Sequence, residues 1–439
     1  MSAYRETLAW LSSLEVSSGW DLKLERMRAA LVRRGHPEAA FPAIHVAGTN
    51  GKGSTAAMIE SVLRAAGRRT GLYTSPHLVD FCERIRIDGR TIPEGTVVDL
   101  VTELRADLTD AGVTLTHFEF VTLLAFTWFA RVGIDVGVIE VGLGGRLDAT
   151  NVVRPLVTAI TSIAMDHEAF LGNDLAAIAG EKAGILKAGV PAVVSRQPPE
   201  ALDVIRARAE QVRGPLFVWG EDYEAFEQRG RLVYQSAERL MDLSLPALMG
   251  HHQIGNAGTA IAAALRLKSF AVADAAIERG LLDVRWSARM QRLGNGPLSR
   301  LLAPGSELWL DGAHNPAGAQ AIAQTLAELE ERAPKPVGLI IGIMGQKDAA
   351  AILAHFRGLV RRVVTVPIPG AHEVTHDPVT LAKIAASVGL AADAAPDVEA
   401  AIARLQKVEA APLRILICGS LYLAGHVLAL QDGVQAQMN

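Results

Sequence analysis

Gly48-Thr-Asn-Gly-Lys-Gly-Ser54 lies between an apolar run, Phe41–Ala47, and an alanine-rich segment from about Ser54 to Ala66. Those residue types in that order suit a polyphosphate. Backbone N–H groups of a glycine-rich loop can wrap phosphate oxygens, and a following helix N-terminus adds partial positive charge. Lys52 can reach the terminal phosphates, and Ser54 or Thr55 can place a hydroxyl on a magnesium ion. The match to G-x-x-x-x-G-K-[ST] is imperfect: Val46 stands where the first glycine would, and Gly53 separates Lys52 from Ser54. The bland alternative is a tight turn carrying a surface lysine. The order strand, loop, lysine, hydroxyl, helix favours nucleotide binding.

Other segments carry groups that could act. Glu140 ends the run Val136–Val141, and α/β folds place ligand-binding groups at the C-terminal ends of strands. Glycines follow it and permit close approach to a ligand. Ser75, in Tyr73-Thr-Ser-Pro-His-Leu78, reads alone as a turn and helix start, an N-cap before Pro76. His167, in Asp166-His-Glu168, follows the run Leu156–Ile163. A lone histidine is most often a surface or satisfied core residue, and Mg²⁺ prefers oxygen. Lys182, in Gly180-Glu-Lys-Ala-Gly-Ile185, reads alone as an ordinary helical lysine. Asp311 and Asn-Pro in Leu310-Asp-Gly-Ala-His-Asn-Pro316 are plain strand-end and turn chemistry taken singly.

The elements that must hold these groups alternate. Further strands are read at Val190–Ser195, Glu307–Leu310, Val337–Ile343, Arg362–Val366 and Arg414–Cys418. Helices are read at His252–Leu267, Pro316–Ala333, Ala349–Val360, Thr380–Ser387 and Asp397–Val408. Apolar strands alternating with helices predict a parallel sheet covered on both faces. Residues 214–245 differ, with short polar-edged strands that suit an antiparallel flap. The expected fold is α/β: a P-loop ATPase-like N-terminal domain, 1–290, and a smaller Rossmann-like C-terminal domain, 291–439. The boundary falls in a stretch rich in glycine and proline.

Composition sets the outer limits. The 439 residues are 50% hydrophobic and 21% charged, with net charge −4. A near-neutral chain without a basic block is not built to coat nucleic acid. Two cysteines make neither a disulfide scaffold nor a Cys₄ zinc site, which fits a reducing compartment. The longest apolar stretch, 118–130, is too short to span a bilayer, and the first ten residues lack a signal-peptide build. A cytoplasmic multi-domain protein without membrane or nucleic-acid partners is expected, and composition alone assigns it no activity.

The string Ala47-Gly-Thr-Asn-Gly-Lys-Gly-Ser54 resembles the nucleotide loop of the ATP-dependent amide ligases that comprise the folate glutamate ligases and the Mur ligases. The GKG[ST] form is that of the folate branch. The other segments resemble that family's motifs in the same order. The resemblance implies ATP bound by Asn50, Gly51, Lys52, Gly53, Ser54 and Thr55, with Asn256 of His252-Gln-Ile-Gly-Asn-Ala257. It assigns Arg289 of Arg289-Met-Gln291 to the phosphates, Asp311 to the ribose, and His314 to the base or phosphates. Ala288 stands where the family has glycine, and Arg289 lies 22 residues before Asp311, a longer interval than in relatives. Magnesium, as two ions, would be held by Ser54, Ser75, Glu140, His167 and Lys182, the last carbamylated by CO₂. Lys52, His167, Lys182 and Arg289 are the implied catalytic residues.

The start of the loop at residue 48 leaves no room for the nucleotide-sugar domain of the Mur enzymes, which favours the folate branch. Asp21, Leu22 and Lys23 resemble a pterin-side segment. Thr116, His117, Phe118 and Glu119 resemble the T-x-F-E segment of bifunctional bacterial members, and Leu147, Asp148 and Ala149 a further pterin contact. The aromatics also suit a helix core. The implied activity adds L-glutamate to dihydropteroate and to reduced folates through an acyl phosphate, in a monomer. Alternatives are a monofunctional folate ligase, a peptidoglycan ligase and a non-ligating P-loop module. Asp148 and His314 both stand as candidates for general base.

Overall fold

The computed structural model describes residues 2–18, 23–371, 374–408 and 412–437. The chain divides into two compact units, each drawn from separate stretches. The first holds 1–75, 82–247 and 253–285; the second holds 76–81, 248–252 and 286–439.

The first unit is built on eight strands: β1 (Ala43–Ala47), β2 (Thr70–Tyr73), β3 (Ile85–Ile87), β4 (Arg90–Thr91), β5 (Val136–Glu140), β6 (Val157–Ile160), β7 (Ala192–Val194) and β8 (Leu216–Val218). Their order is β4-β3-β2-β5-β1-β6-β7-β8. β2, β5, β1, β6, β7 and β8 run parallel, and β3 and β4 are antiparallel at one edge. All residues of β1, β5 and β6 are buried, as strands covered on both faces must be. β1 is central, so the loop after it opens at the middle of the sheet's C-terminal edge. β9 (Tyr223–Gln228), β10 (Arg231–Ser236) and β11 (Leu240–Ser244) form the expected antiparallel element, here three-stranded.

The second unit has six strands: β12 (Gln291–Arg292), β13 (Glu307–Leu310), β14 (Val337–Ile341), β15 (Arg362–Thr365), β16 (Ala392–Ala394) and β17 (Arg414–Cys418). The order is β12-β13-β17-β14-β15-β16, parallel except for β12. Strand alternation splits its core in two. Leu308, Leu310, Ile340, Ile415 and Ile417 face one buried cluster, while Trp309, Leu339, Ile341, Leu416 and Cys418 face the other.

Two expectations are corrected. No helix starts at Pro76. Within the second unit Phe81 N–H donates to Gln437 Oε1 at 2.7 Å, and Gln437 N–H donates to the Val79 carbonyl. Those bonds hold 76–81 as an irregular strap, and the next turn is a 3₁₀ turn at Phe81–Arg84. The helix read as Ala349–Val360 ends at Ala354. Beyond it Phe356 and Arg357 bond i→i−3, and Gly358 takes a left-handed φ of 79° that stops the helix.

Candidate active site

The nucleotide loop is shaped by two glycines. Gly48 has φ 151°, and a Cβ there would fall 1.9 Å from Thr161 Oγ1. Gly51 has φ 86°, and its Cβ would fall 2.4 Å from Asn256 Oδ1. The loop is pinned by Thr49 and Asn50 N–H groups donating to the Ser162 carbonyl, and by Thr49 Oγ1 donating to the Ala164 carbonyl. The helix Lys52–Ala65 then begins at Gly51, and no side chain caps it. An uncapped helix start behind a glycine loop is a built anion site.

Lys52 Nζ donates to the carbonyls of Gly48 and Thr49 at 3.1 and 3.2 Å, folding back over the loop. Thr55 Oγ1 is fully buried with no hydrogen-bond partner. A buried hydroxyl left unsatisfied costs about 1–3 kcal/mol, which a ligand at this helix start would recover. Ser54 is buried next to it and accepts from Gln253 Nε2 at 3.5 Å; Asn256 Nδ2 donates to Gln253 Oε1 at 2.9 Å. The helix His251–Leu265 therefore brings Asn256 to Gly51 and Gln253 to Ser54.

β2 and β5 are neighbours, with Tyr73 opposite Ile139. Their ends put Ser75 beside Glu140, and the Ser75 N–H donates to Glu140 Oε2 at 3.4 Å. Glu140 is a buried carboxylate. His167 follows β6 in a left-handed conformation, φ 53°, unusual for a residue with a Cβ. Its N–H donates to Asp166 Oδ1 at 2.9 Å and its ring is half exposed.

Lys182 lies on the helix Leu175–Ala183 and is buried. Burial, then the charge of Lys52, push its ammonium down to about 7, while Asp166, Asp148 and Glu181 oppose the shift. The loop after β5 docks on this helix. Arg146 N–H donates to the Glu181 carbonyl at 2.8 Å, and a Cβ on Gly145 would fall 2.7 Å from that same oxygen. Only a glycine loop can approach so closely. Asp148 ends the loop as a buried carboxylate, accepting from Leu143 N–H at 2.9 Å and Thr150 N–H at 3.0 Å. Burial raises its pKa, against those hydrogen bonds.

Among the described residues, no three His, Cys, Asp or Glu side chains converge to hold a metal ion. Glu140, Ser54, Thr55 and Ser75 nevertheless suit Mg²⁺, which keeps its waters and binds through one or two carboxylates with phosphate oxygens.

The segment 116–119 opens the helix His117–Val132. Thr116 and Glu119 form a capping box, each side chain bonding the other's backbone N–H. Glu119 also pairs with Arg26 Nε at 3.2 Å. His117 is buried, and the Phe118 ring lies where a Cβ on Gly142 would stand, 2.5 Å away. Leu147 is half-buried, Ala149 buried and Lys23 exposed. Asp21 and Leu22 lie outside the described residues.

In the second unit Asp311 ends β13 and is buried. Its Oδ2 accepts from Met290 N–H at 2.7 Å and its Oδ1 from Ala313 N–H at 2.8 Å. It thus ties down the segment that carries Arg289, whose Nη1 donates to the Ala288 carbonyl at 2.8 Å. Ala288 and Met290 both take left-handed φ, 54° and 40°. Ala288 therefore sits in the conformation that glycine would take without strain. His314 Nδ1 bonds the Gly312 carbonyl at 3.0 Å, so a neutral ring presents Nε2 as an acceptor. Asn315 caps the helix Pro316–Arg332.

Sequence reasoning passed over Thr161, Gln253, Arg26 and His45. Gln253 lies in the segment His252–Ala257 but was given no role there, and Thr161 and Arg26 are distant partners that spacing does not reveal. His45 was visible as the one polar residue in an apolar strand.

Residues 46–264 match the family described as the Mur ligase middle domain, and residues 289–421 match its glutamate ligase domain. The chain is 34% identical to folylpolyglutamate synthase of Lacticaseibacillus casei, covering 97% of each. It is 34% identical to dihydrofolate synthase/folylpolyglutamate synthase of Escherichia coli K12, over 97% of this chain and 95% of the relative. Among solved structures, E. coli FolC in complex with DHPP and ADP superposes with a TM-score of 0.86 at 32% identity, covering 98% of each chain.

Proposed function

The chain belongs to the folylpolyglutamate synthase family of the Mur ligases, and we propose that it adds L-glutamate to dihydropteroate and to reduced folates at the expense of ATP. The loop 48–54 carries this reading: a glycine cradle, an uncapped helix start and a buried unpartnered hydroxyl at Thr55.

A carboxylate is a poor acyl donor. Transfer of the ATP γ-phosphoryl group to it gives an acyl phosphate and ADP. The glutamate amine then attacks the acyl carbon, phosphate leaves with the bonding pair, and an amide forms. Such chemistry asks the protein for positioning and charge neutralisation. Lys52 would move from the loop carbonyls to the γ-phosphate. Asn256, beside Gly51, and Arg289, Asp311 and His314 are assigned to the nucleotide. Mg²⁺, as two ions drawing on Ser54, Ser75, Glu140, His167 and Lys182, would neutralise the phosphates. Residues 116–119 and 147–149 line the pterin side in this reading, with domains at 1–290 and 291–439.

Lys182 is proposed to be carbamylated. An amine held near neutrality by burial is nucleophilic at ordinary pH. Its nitrogen attacks the carbon of CO₂, a proton leaves to solvent, and a buried cation becomes a carboxylate able to serve a metal. Among the described residues no helix is long and apolar enough to cross a membrane. A cytoplasmic monomer completes the proposal.

ADP release measured with dihydropteroate, with tetrahydrofolate and with a UDP-sugar acid, each with its amino acid, tests the reading. Turnover that needs L-glutamate and either pterin substrate is expected. Pterin-independent ATP hydrolysis would favour the non-ligating P-loop module.

A further inference from the structure

His45 is the one polar side chain in the strand Ala43–Ala47, and it is completely buried. Burying an imidazole in the centre of a sheet is costly unless it is hydrogen-bonded. Its Nε2 lies 2.8 Å from Thr150 Oγ1, and that same hydroxyl donates to Asp148 Oδ1. A threonine hydroxyl has one hydrogen, and an ionised carboxylate can only accept. The hydrogen of Thr150 therefore points to Asp148, and the His45 ring must donate from Nε2. His45 Nδ1 has no hydrogen-bond partner, as suits the bare nitrogen of that tautomer. Burial keeps the ring neutral, pushed down to about 3. The result is a one-way chain of donors from the middle of the sheet to a carboxylate at its C-terminal edge.

We propose that His45 is a positioning residue for the folate-type substrate: through Thr150 Oγ1 it locks the Asp148 carboxylate in the orientation presented to the ligand. This rests on the reading above that Asp148 contacts that substrate. Asp148 Oδ2 is held separately by Leu143 N–H, so the carboxylate is fixed from both oxygens, and only the Oδ1 side depends on a side-chain relay.

Michaelis constants of H45L and H45Q test it. In H45L the donor is gone, and KM for dihydropteroate or tetrahydrofolate should rise about tenfold, as for loss of a partner that orients a binding group. KM for ATP and for glutamate should stay within about twofold. Glutamine can donate from nearly the position of Nε2, so H45Q should recover most of the loss. T150V breaks the same link while keeping the histidine and replaces H45L if that variant does not fold. In the whole protein the ¹⁵N spectrum should show His45 protonated at Nε2 and bare at Nδ1, with T150V shifting that signal. Equal rises for all three substrates, a glutamine variant as impaired as the leucine one, or protonation at Nδ1 would overturn the proposal. D148N separates the two ideas. If D148N raises the pterin KM and neither H45L nor T150V does, the relay fails while the substrate reading stands. If D148N leaves the pterin KM unchanged although the tautomer is as described, the substrate reading fails.

Discussion

Lys182 and Lys52 are neighbouring lysines with different roles, and the charge of Lys52 acts on Lys182. The Lys182 amine is held near 7 by desolvation and by its neighbour's charge. It binds its proton more weakly folded than unfolded, so between about 7 and 10.5 the unfolded chain carries more protons and stability rises with pH. In CO₂-depleted buffer, thermal melts of the wild type and of K182M should converge toward pH 10. The wild type should fall behind as pH drops to 7. Adding bicarbonate at pH 8 should raise wild-type turnover more than at pH 6, where the protonated amine cannot attack CO₂. For Lys52 the expectation is opposite in kind. K52A loses two hydrogen bonds to loop carbonyls, worth about 1 kcal/mol each, yet removes a charge aimed at the transferring phosphoryl group. Its turnover should drop by about 10³ while the melt falls by only a few degrees. What was legible at this scale was residue type in local strings. What was not legible was partnership: Asp311 holding Met290, or Arg26 holding Glu119, joins residues that no spacing connects.

Elements decide where those residues stand, and glycine decides how closely elements pack. The helix Lys52–Ala65, which begins at the nucleotide loop, is crossed by the helix Asp274–Asp283. At the crossing a Cβ on Gly280 would lie 2.4 Å from Val62 Cα. G280A must push the two helices apart, and such overpacking costs about 1–3 kcal/mol. A lower urea midpoint together with a raised KM for ATP is the expected outcome, because the displaced helix carries Lys52, Ser54 and Thr55. T116A removes a capping box and should cost about 1 kcal/mol in the same unfolding measurement. The central strands β1, β5 and β6 were legible because doubly covered strands read as unbroken apolar runs. β2, β3, β4 and β16 were not. They are two to four residues long, and three of the four lie at or beside a sheet edge, where the apolar signal is thin.

At the scale of the molecule, the two units are not consecutive halves. The second takes 76–81 and 248–252 from within the first unit's stretch of sequence. The strap 76–81 is secured by Gln437 through two hydrogen bonds, and Leu78 packs so tightly that a Cβ on Gly425 would fall 2.0 Å from its carbonyl oxygen. Q437A removes the acceptor for Phe81 N–H and should cost about 1–2 kcal/mol in a thermal melt. Ser75 is joined directly to this strap, so Q437A should also raise KM for ATP, measured by ADP release. The alternation of strands and helices made two α/β layers readable in advance. The interleaving was not readable, because it rests on contacts 356 residues apart.

That separation has a consequence for synthesis. A chain emerging from the ribosome delivers Phe81 a full 356 residues ahead of Gln437. Until Gln437 emerges, the strap lacks those two hydrogen bonds, and the second unit, to which 76–81 belong, is incomplete. The second unit should therefore be completed long after its first segment has left the ribosome, whereas the sheet that carries the nucleotide loop can form on the nascent chain.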